Sequence, residues 1–179
     1  MDVHEDQQGG MRMRKTVLVK MTGDLANLRW DVIEWLRTLA QEYFVVICTG
    51  GGTQISKKLD ARKIPSRFGH LGREIVSFKG RQIARDELEK NQAAIQDRLA
   101  VEKIPATVII PVLDIGSVLC HVNGDTFVHV AYLGFDKLFV LTLDSRKEKK
   151  AAQFAELSRV EVVGFPDVLP TKRRSKTAQ

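Results

Sequence analysis

The feature that most constrains this chain is a repeated pairing of short apolar runs with segments of helical periodicity. Thr16-Val17-Leu18-Val19-Lys20 is followed by Gly23-Asp24 and then by Leu25, Leu28, Val32, Trp35, Leu36 and Leu39, spaced as on one helix face. Phe44-Val45-Val46-Ile47-Cys48 is apolar throughout, as a strand covered on both faces must be, and Gly50-Gly51-Gly52 ends it before a helical stretch through Ile55 and Leu59. Ala84, Leu88, Asn91, Ile95 and Leu99 share a face of a third predicted helix, from about Arg81 to Leu99, after which Thr107 to Ile110 and Val118 to Val122 read as strands. Asn123-Gly124-Asp125 leads into a helix to Leu133 that Gly134 can end, and Lys137 to Thr142 is another apolar strand. Glu148 to Leu157 and Val160 to Val163 supply a last helix and strand. Two-sided strands alternating with helices predict an α/β three-layer sandwich, with a mostly parallel central sheet and helices on both faces.

The chain has 179 residues, 44% of them apolar and 28% charged, which suits one domain with a real core and excludes disorder. The pattern places that domain at residues 14–165, between a flexible N-terminal tail (1–13) and a basic C-terminal tail (166–179). Cys48 and Cys120 lie far apart in apolar stretches with no zinc or dithiol spacing, and read as buried thiols in a reducing compartment. His121 and His129 read as packing or surface residues, so no metal site is expected. The first dozen residues are polar, without a secretory pattern, and the long apolar region from Ala106 to Cys120 is broken by Pro111, Asp114 and Gly116. No membrane association and a cytoplasmic location are the expectation. The net charge of +6 owes much to Arg12, Arg14 and Lys15 and to Lys172, Arg173, Arg174 and Lys176, near the two ends. With aromatics at only 7%, this weighs against a nucleic-acid partner.

In a parallel sheet the ligand site lies beyond the carboxyl ends of the strands, so the turns there carry the functional information. Lys20 ends the first strand three residues before Gly23, where an ammonium could meet a phosphate approaching the backbone. Standing alone, the pattern reads first as a solvated strand-end lysine before a helix turn. Gly50-Gly51-Gly52 can aim consecutive amides at an anion near a helix start, although it is neither a Walker loop nor G-x-G-x-x-G; a tight packing turn is the other reading. Asp125 is either the N-cap of its helix or a carboxylate that orients Lys20 or holds Mg²⁺ on a nucleotide. In Arg146-Lys147-Glu148-Lys149-Lys150, cations at a helix start would oppose the dipole unless a polyphosphate sits there, whereas a solvated loop would carry no such conflict.

Taken in order, Val17-Leu18-Val19-Lys20-Met21-Thr22-Gly23, then Gly50-Gly51-Gly52, then Asn123-Gly124-Asp125-Thr126 with Leu133-Gly134-Phe135-Asp136-Lys137-Leu138 and Leu141-Thr142 resemble the amino acid kinase family, most nearly its acetylglutamate kinase branch. The similarity runs over residues 15–145 and takes in Gly72-Arg73 and the region of Asn91. The resemblance implies transfer of the γ-phosphoryl group of Mg-ATP to a small anionic acceptor, a carboxylate in the acetylglutamate branch, by a homo-oligomer. It would make Lys20 and Asp125 catalytic, Lys20 stabilising the transferred group and Asp125 holding Lys20. Gly23, Gly51 and Gly52 would donate amides to phosphates, and Arg73 and Asn123 would bind the acceptor; the glycine turn itself adds Gly50 to the phosphate cradle, and the cation cluster adds Arg146 and Lys147 as candidate contacts to the nucleotide phosphates. Leu143-Asp144-Ser145-Arg146-Lys147 stands where the family pattern has an acidic residue and a glycine, and about one strand and a tail follow. Pro111 to His121 is also compressed, with His121 where that branch has asparagine. These departures leave a second reading, a non-catalytic nucleotide- or anion-binding regulatory protein of the same fold.

Overall fold

The computed structural model describes residues 14–169 apart from 26, 70–71, 116–117 and 122, and omits the side chains of residues 113–121. The readings made on tail 1–13, on residues 170–179, and on the side chains of Cys120 and His121 lie outside the described residues. In chain order the elements are β1 (Thr16–Met21), a 3-10 turn (Gly23–Leu25), α1 (Trp30–Glu42), β2 (Phe44–Thr49), α2 (Gly52–Ala61), β3 (Arg67–Gly69), β4 (Gly72–Glu74), α3 (Phe78–Val101), β5 (Ala106–Ile109), β6 (Val112–Ile115), β7 (Val118–His121), α4 (Gly124–Ala131), a second 3-10 turn (Tyr132–Gly134), β8 (Lys137–Leu143), α5 (Asp144–Gln153) and β9 (Val160–Phe165).

The central sheet has five strands in the order β5-β2-β1-β8-β9, all parallel. Helices cover both of its faces, as the two-sided apolar strands require. Along β1 the side chains alternate: Val17, Val19 and Met21 pack with α1 and with Ile95 and Leu99 of α3, whereas Leu18 packs with Val128 of α4, Leu138, Val140 and Phe154. Ile55 and Leu59 of α2 meet Ile83, Ala84 and Leu88 of α3 in a third cluster. From β1 the chain winds outward to β2 and β5, then returns to lay β8 on the other side of β1. That reversal of direction places a crevice at the carboxyl ends of β1, β2 and β8.

Several boundaries differ from the sequence reading, each for a physical reason. Helix α1 starts at Trp30 because buried Leu28 takes a positive φ of 45°, which a continuous right-handed helix cannot include. Helix α3 starts earlier than Arg81, where the Ser77 hydroxyl accepts a hydrogen bond from Gly80 N–H at 3.1 Å. Val118–His121 pairs antiparallel with Val112–Ile115 outside the central sheet. Neighbours so close in sequence have no room for the crossover of about a dozen residues that a parallel pair needs. A second small hairpin, β3–β4, is also separate from the main sheet. Helix α5 begins at Asp144, directly on β8 and four residues before Glu148. Asp144 occupies its first turn, and Asp167 accepts hydrogen bonds from Ser145 N–H and Ser145 Oγ. Carboxylates thus meet the positive end of a helix that is otherwise rich in cations. The same strap beyond β9 gives Pro166 O to Arg29 Nη1 at 2.7 Å.

Candidate functional site

Period two along β1 puts Lys20 on the same face as Leu18, under α4, and leaves it only 7% exposed. Its ammonium lies 2.7 Å from Asp125 Oδ1 in the first turn of α4. The other carboxylate oxygen, Oδ2, accepts a hydrogen bond from Lys150 of α5, whose Nζ also reaches Gln153 Oε1 at 2.9 Å. One carboxylate therefore ties together two ammonium groups supplied by two different elements. Burial lowers the Lys20 pKa, and Asp125 opposes that effect without cancelling it. Burial works to raise the Asp125 pKa, but Lys20 and Lys150 outweigh it and hold the carboxyl at about 2. Cys48, opposite Lys20 in the β1–β2 register, is buried, and its thiol is pushed up to about 12, so it is an inert core group.

Asp125 is not the N-cap of α4. Asn123 holds that position with φ −65° and ψ 143°, its side chain makes no capping hydrogen bond, and the Asp125 carboxylate is committed to the lysines. Gly124 eases the close approach of α4 to the lysine stem: a Cβ there would stand a tight 3.2 Å from Lys20 Cε.

The turn after β2 forms the next wall. Gly51 caps α2 without a side-chain partner, and the first amide bonded back along the helix is that of Ile55, to Gly51 O at 2.8 Å. The amides ahead of it open the helix toward the crevice, where they favour an anion. Asn91 of α3 donates from Nδ2 to Gly50 O at 3.1 Å and so braces the turn. A Cβ on Gly51 would meet Asn91 Nδ2 at 3.1 Å and Leu88 Cδ2 at 3.3 Å.

Arg73 on β4 reaches the same turn. It donates from Nη2 to Gly52 O at 2.9 Å and to Ser56 Oγ at 2.7 Å, and from Nη1 to Ser66 Oγ at 2.9 Å, with its guanidinium 4.4 Å from the Phe68 ring centroid. Burial lowers its pKa. On the opposite side Arg146, in the first turns of α5, donates from Nη1 to Asp24 Oδ2 at 2.7 Å.

These walls enclose a cavity of about 220 Å³. Of the residues singled out in the sequence, Lys20, Gly23, Gly50, Gly51, Gly52, Arg73, Asn123 and Arg146 all line it, and Asp125 stands behind Lys20. Lys147 does not join them; its side chain runs beside Gly164 of β9. Sequence reasoning did not assign Lys150, Asp24 or Phe68 to the site. For Lys150 a signal existed, because it follows Arg146 by four residues and so shares its helix face, but only if the helix starts before Glu148. The Thr22 hydroxyl, on a residue lining the cavity, is buried without a hydrogen-bond partner. Among the described residues no three His, Cys, Asp or Glu side chains are grouped to hold a metal ion, and the carboxylates of Asp24 and Asp125 are both engaged by cations. The arrangement suits an anion: ammonium and guanidinium groups and helix-start amides line one small cavity.

No protein-family model and no curated protein sequence matches the chain. Among solved structures it is similar to smu.665 from Streptococcus mutans UA159, with a TM-score of 0.64 and 14% identity over 88% of this chain and 97% of that one. Two structures of N-acetylglutamate synthase from Neisseria gonorrhoeae also align, one complexed with coenzyme A and N-acetyl-glutamate and one with coenzyme A and L-arginine. Each covers 74% of this chain at 15% identity, with TM-scores of 0.45 and 0.46, and this chain spans 42% and 44% of their lengths. At these identities the likeness to smu.665 is one of fold. The α/β sandwich with a parallel five-stranded sheet is the architecture of the chain, and among the described residues no helix is long and apolar enough to cross a membrane.

Proposed function

We propose that this protein is a phosphotransferase of amino acid kinase type, which moves the γ-phosphoryl group of Mg-ATP onto a small anionic acceptor in the cavity above Lys20. The observation that carries the reading is the Lys20–Asp125–Lys150 cluster, with one carboxylate fixing two ammonium groups at the carboxyl ends of a parallel sheet. Phosphoryl transfer asks little covalent chemistry of a protein; it asks for in-line positioning and fixed positive charge around the equatorial oxygens. Lys20 supplies that charge at the cavity floor, and Asp125 keeps it from swinging away. The amides at the starts of α2 and α4 would hold phosphate oxygens. Arg73 and Asn123 face the same space and would orient the acceptor. With a carboxylate acceptor, one of its oxygens bonds to the γ-phosphorus as the bond to the bridging oxygen breaks and ADP leaves, so no proton needs to be removed. Magnesium would enter on the nucleotide phosphates, since the two nearby carboxylates are engaged by cations.

A non-catalytic anion-binding role is the second reading, and cavity size favours it. A volume of about 220 Å³ lies below the roughly 300–1,000 Å³ of common small-molecule sites and suits a phosphate chain or a small acid better than a whole nucleotide. The deciding experiment is a phosphoryl-transfer assay with labelled Mg-ATP and a panel of small carboxylates. Acceptor-dependent transfer that falls by about 100-fold or more in Lys20→Ala supports the kinase reading. Nucleotide or pyrophosphate binding without transfer to any acceptor assigns the protein to the second.

A further inference from the structure

Arg146 stands where a cation is poorly placed. It lies in the first turns of α5, near the positive end of the helix, and more than half of its side chain is exposed. Asp24, in the 3-10 turn beside Gly23, compensates for this by taking its guanidinium at 2.7 Å. Both residues line the cavity at its rim, whereas Lys20 lies at its floor and is nearly buried. The rim pair is exposed on both sides, so it is held weakly and can be exchanged. The floor pair is not exchangeable in this way, because Lys20 would lose the carboxylate that faces it at 2.7 Å in a buried setting.

From this we infer that Arg146 is the residue that selects ligands carrying linked phosphates over a single phosphate, and that Asp24 holds it in reserve and gives it up when a second phosphate reaches the rim. The inference rests on the phosphate-site reading above and adds to it the residue that measures ligand length. A lone orthophosphate on Lys20 at the floor leaves the Asp24–Arg146 pair in place. A pyrophosphate extends toward the rim, where its terminal oxygens meet the guanidinium in the two-pronged geometry that arginine offers to phosphate, with the start of α5 behind it. The charge that Asp24 neutralised is then neutralised by the ligand, and Asp24 turns to water.

The test is a double-mutant cycle on the full chain, read by calorimetric titration with orthophosphate and with inorganic pyrophosphate at fixed ionic strength. Arg146→Ala should weaken pyrophosphate by about tenfold and orthophosphate by no more than about twofold, as expected for loss of one charge-assisted two-pronged contact. Asp24→Asn should tighten pyrophosphate about three- to tenfold, and most of that gain should vanish when Arg146 is already alanine, because the two residues act as one unit. If Asp24→Asn gives the same gain with and without Arg146, Asp24 acts only through its general field and the exchange is overturned while the phosphate site stands. If Arg146→Ala weakens both ligands alike, the length selection is overturned. If the parent binds neither ligand, the phosphate-site reading itself falls and takes this inference with it. Thermal melts of each variant without ligand verify folding, and substitutions at this exposed pair should leave them close to the parent.

Discussion

At the floor of the cavity the side chains of Lys20 and Asp125 are 9% and 18% exposed, while at its rim those of Arg146 and Asp24 are 55% and 38% exposed. Both are cation–carboxylate pairs at 2.7 Å, and both join segments far apart in sequence. They differ in what happens when one partner is removed. A buried charge without its partner keeps its full desolvation cost, whereas an exposed one is rehydrated. The floor pair is therefore a fixed part of the fold, and the rim pair one that can rearrange at little cost. Equal distances do not imply equal roles; the surrounding dielectric decides.

The sharpest way to break this comparison is Asp125→Ala. It strands Lys20 and also deprives Lys150 of its carboxylate, so unfolding free energy should fall by about 3 kcal/mol, measured by denaturant titration. Loss of a proton from Lys20 limits the cost, because burial already lowers its pKa. Lys20→Met should cost clearly less, since Asp125 keeps Lys150 and the methionine stem still fills the space under Gly124.

Acid titration sharpens the same contrast. The folded Asp125 pKa of about 2 lies below its ordinary value of 3.8, so the stability it contributes is complete above 3.8 and is lost as pH falls from there toward 2. Comparing denaturation midpoints at about pH 5 and pH 2.5 should show a larger acid-induced drop for the parent than for Asp125→Asn, which has no carboxyl to protonate. Equal drops would show that Asp125 is not held by the lysines.

A smaller effect is expected from Gly51→Ala. Its Cβ would press on Asn91 Nδ2 at 3.1 Å and Leu88 Cδ2 at 3.3 Å, and should cost about 1 kcal/mol while loosening the brace on Gly50. Pyrophosphate affinity should fall with it, read by calorimetry. The smallest effect belongs to the rim. Arg146→Ala should change stability by no more than about 0.5 kcal/mol, and by less still at high salt.

How far the sequence announced this arrangement depended on the length of each signal. Lys20 and the Gly50–Gly52 turn were legible because strands of six residues with two-sided burial fix where the sheet ends, and the end of a parallel sheet is where turns matter. Lys150 was missed through a boundary. With the helix placed at Glu148 it reads as one of a run of solvated cations, but with the helix beginning at Asp144 it shares a face with Arg146 and points to Asp125. Strands β3, β4 and β6 have only three or four residues, too short for periodicity to register, and β7 was read as a strand without its antiparallel partner β6. Arg73 was identified only through the family resemblance, and its bonds to Gly52, Ser56 and Ser66 show a second task, clamping the glycine turn from the side.

The most direct test of the account is an amide NMR titration of the protein with inorganic pyrophosphate. The account predicts that the largest shifts fall on Gly51, Gly52, Thr53 and Gly124, at the two helix starts that line the cavity with Lys20, and that they disappear in Lys20→Ala. Shifts confined to the basic ends of the chain, with those four amides unmoved, would contradict it.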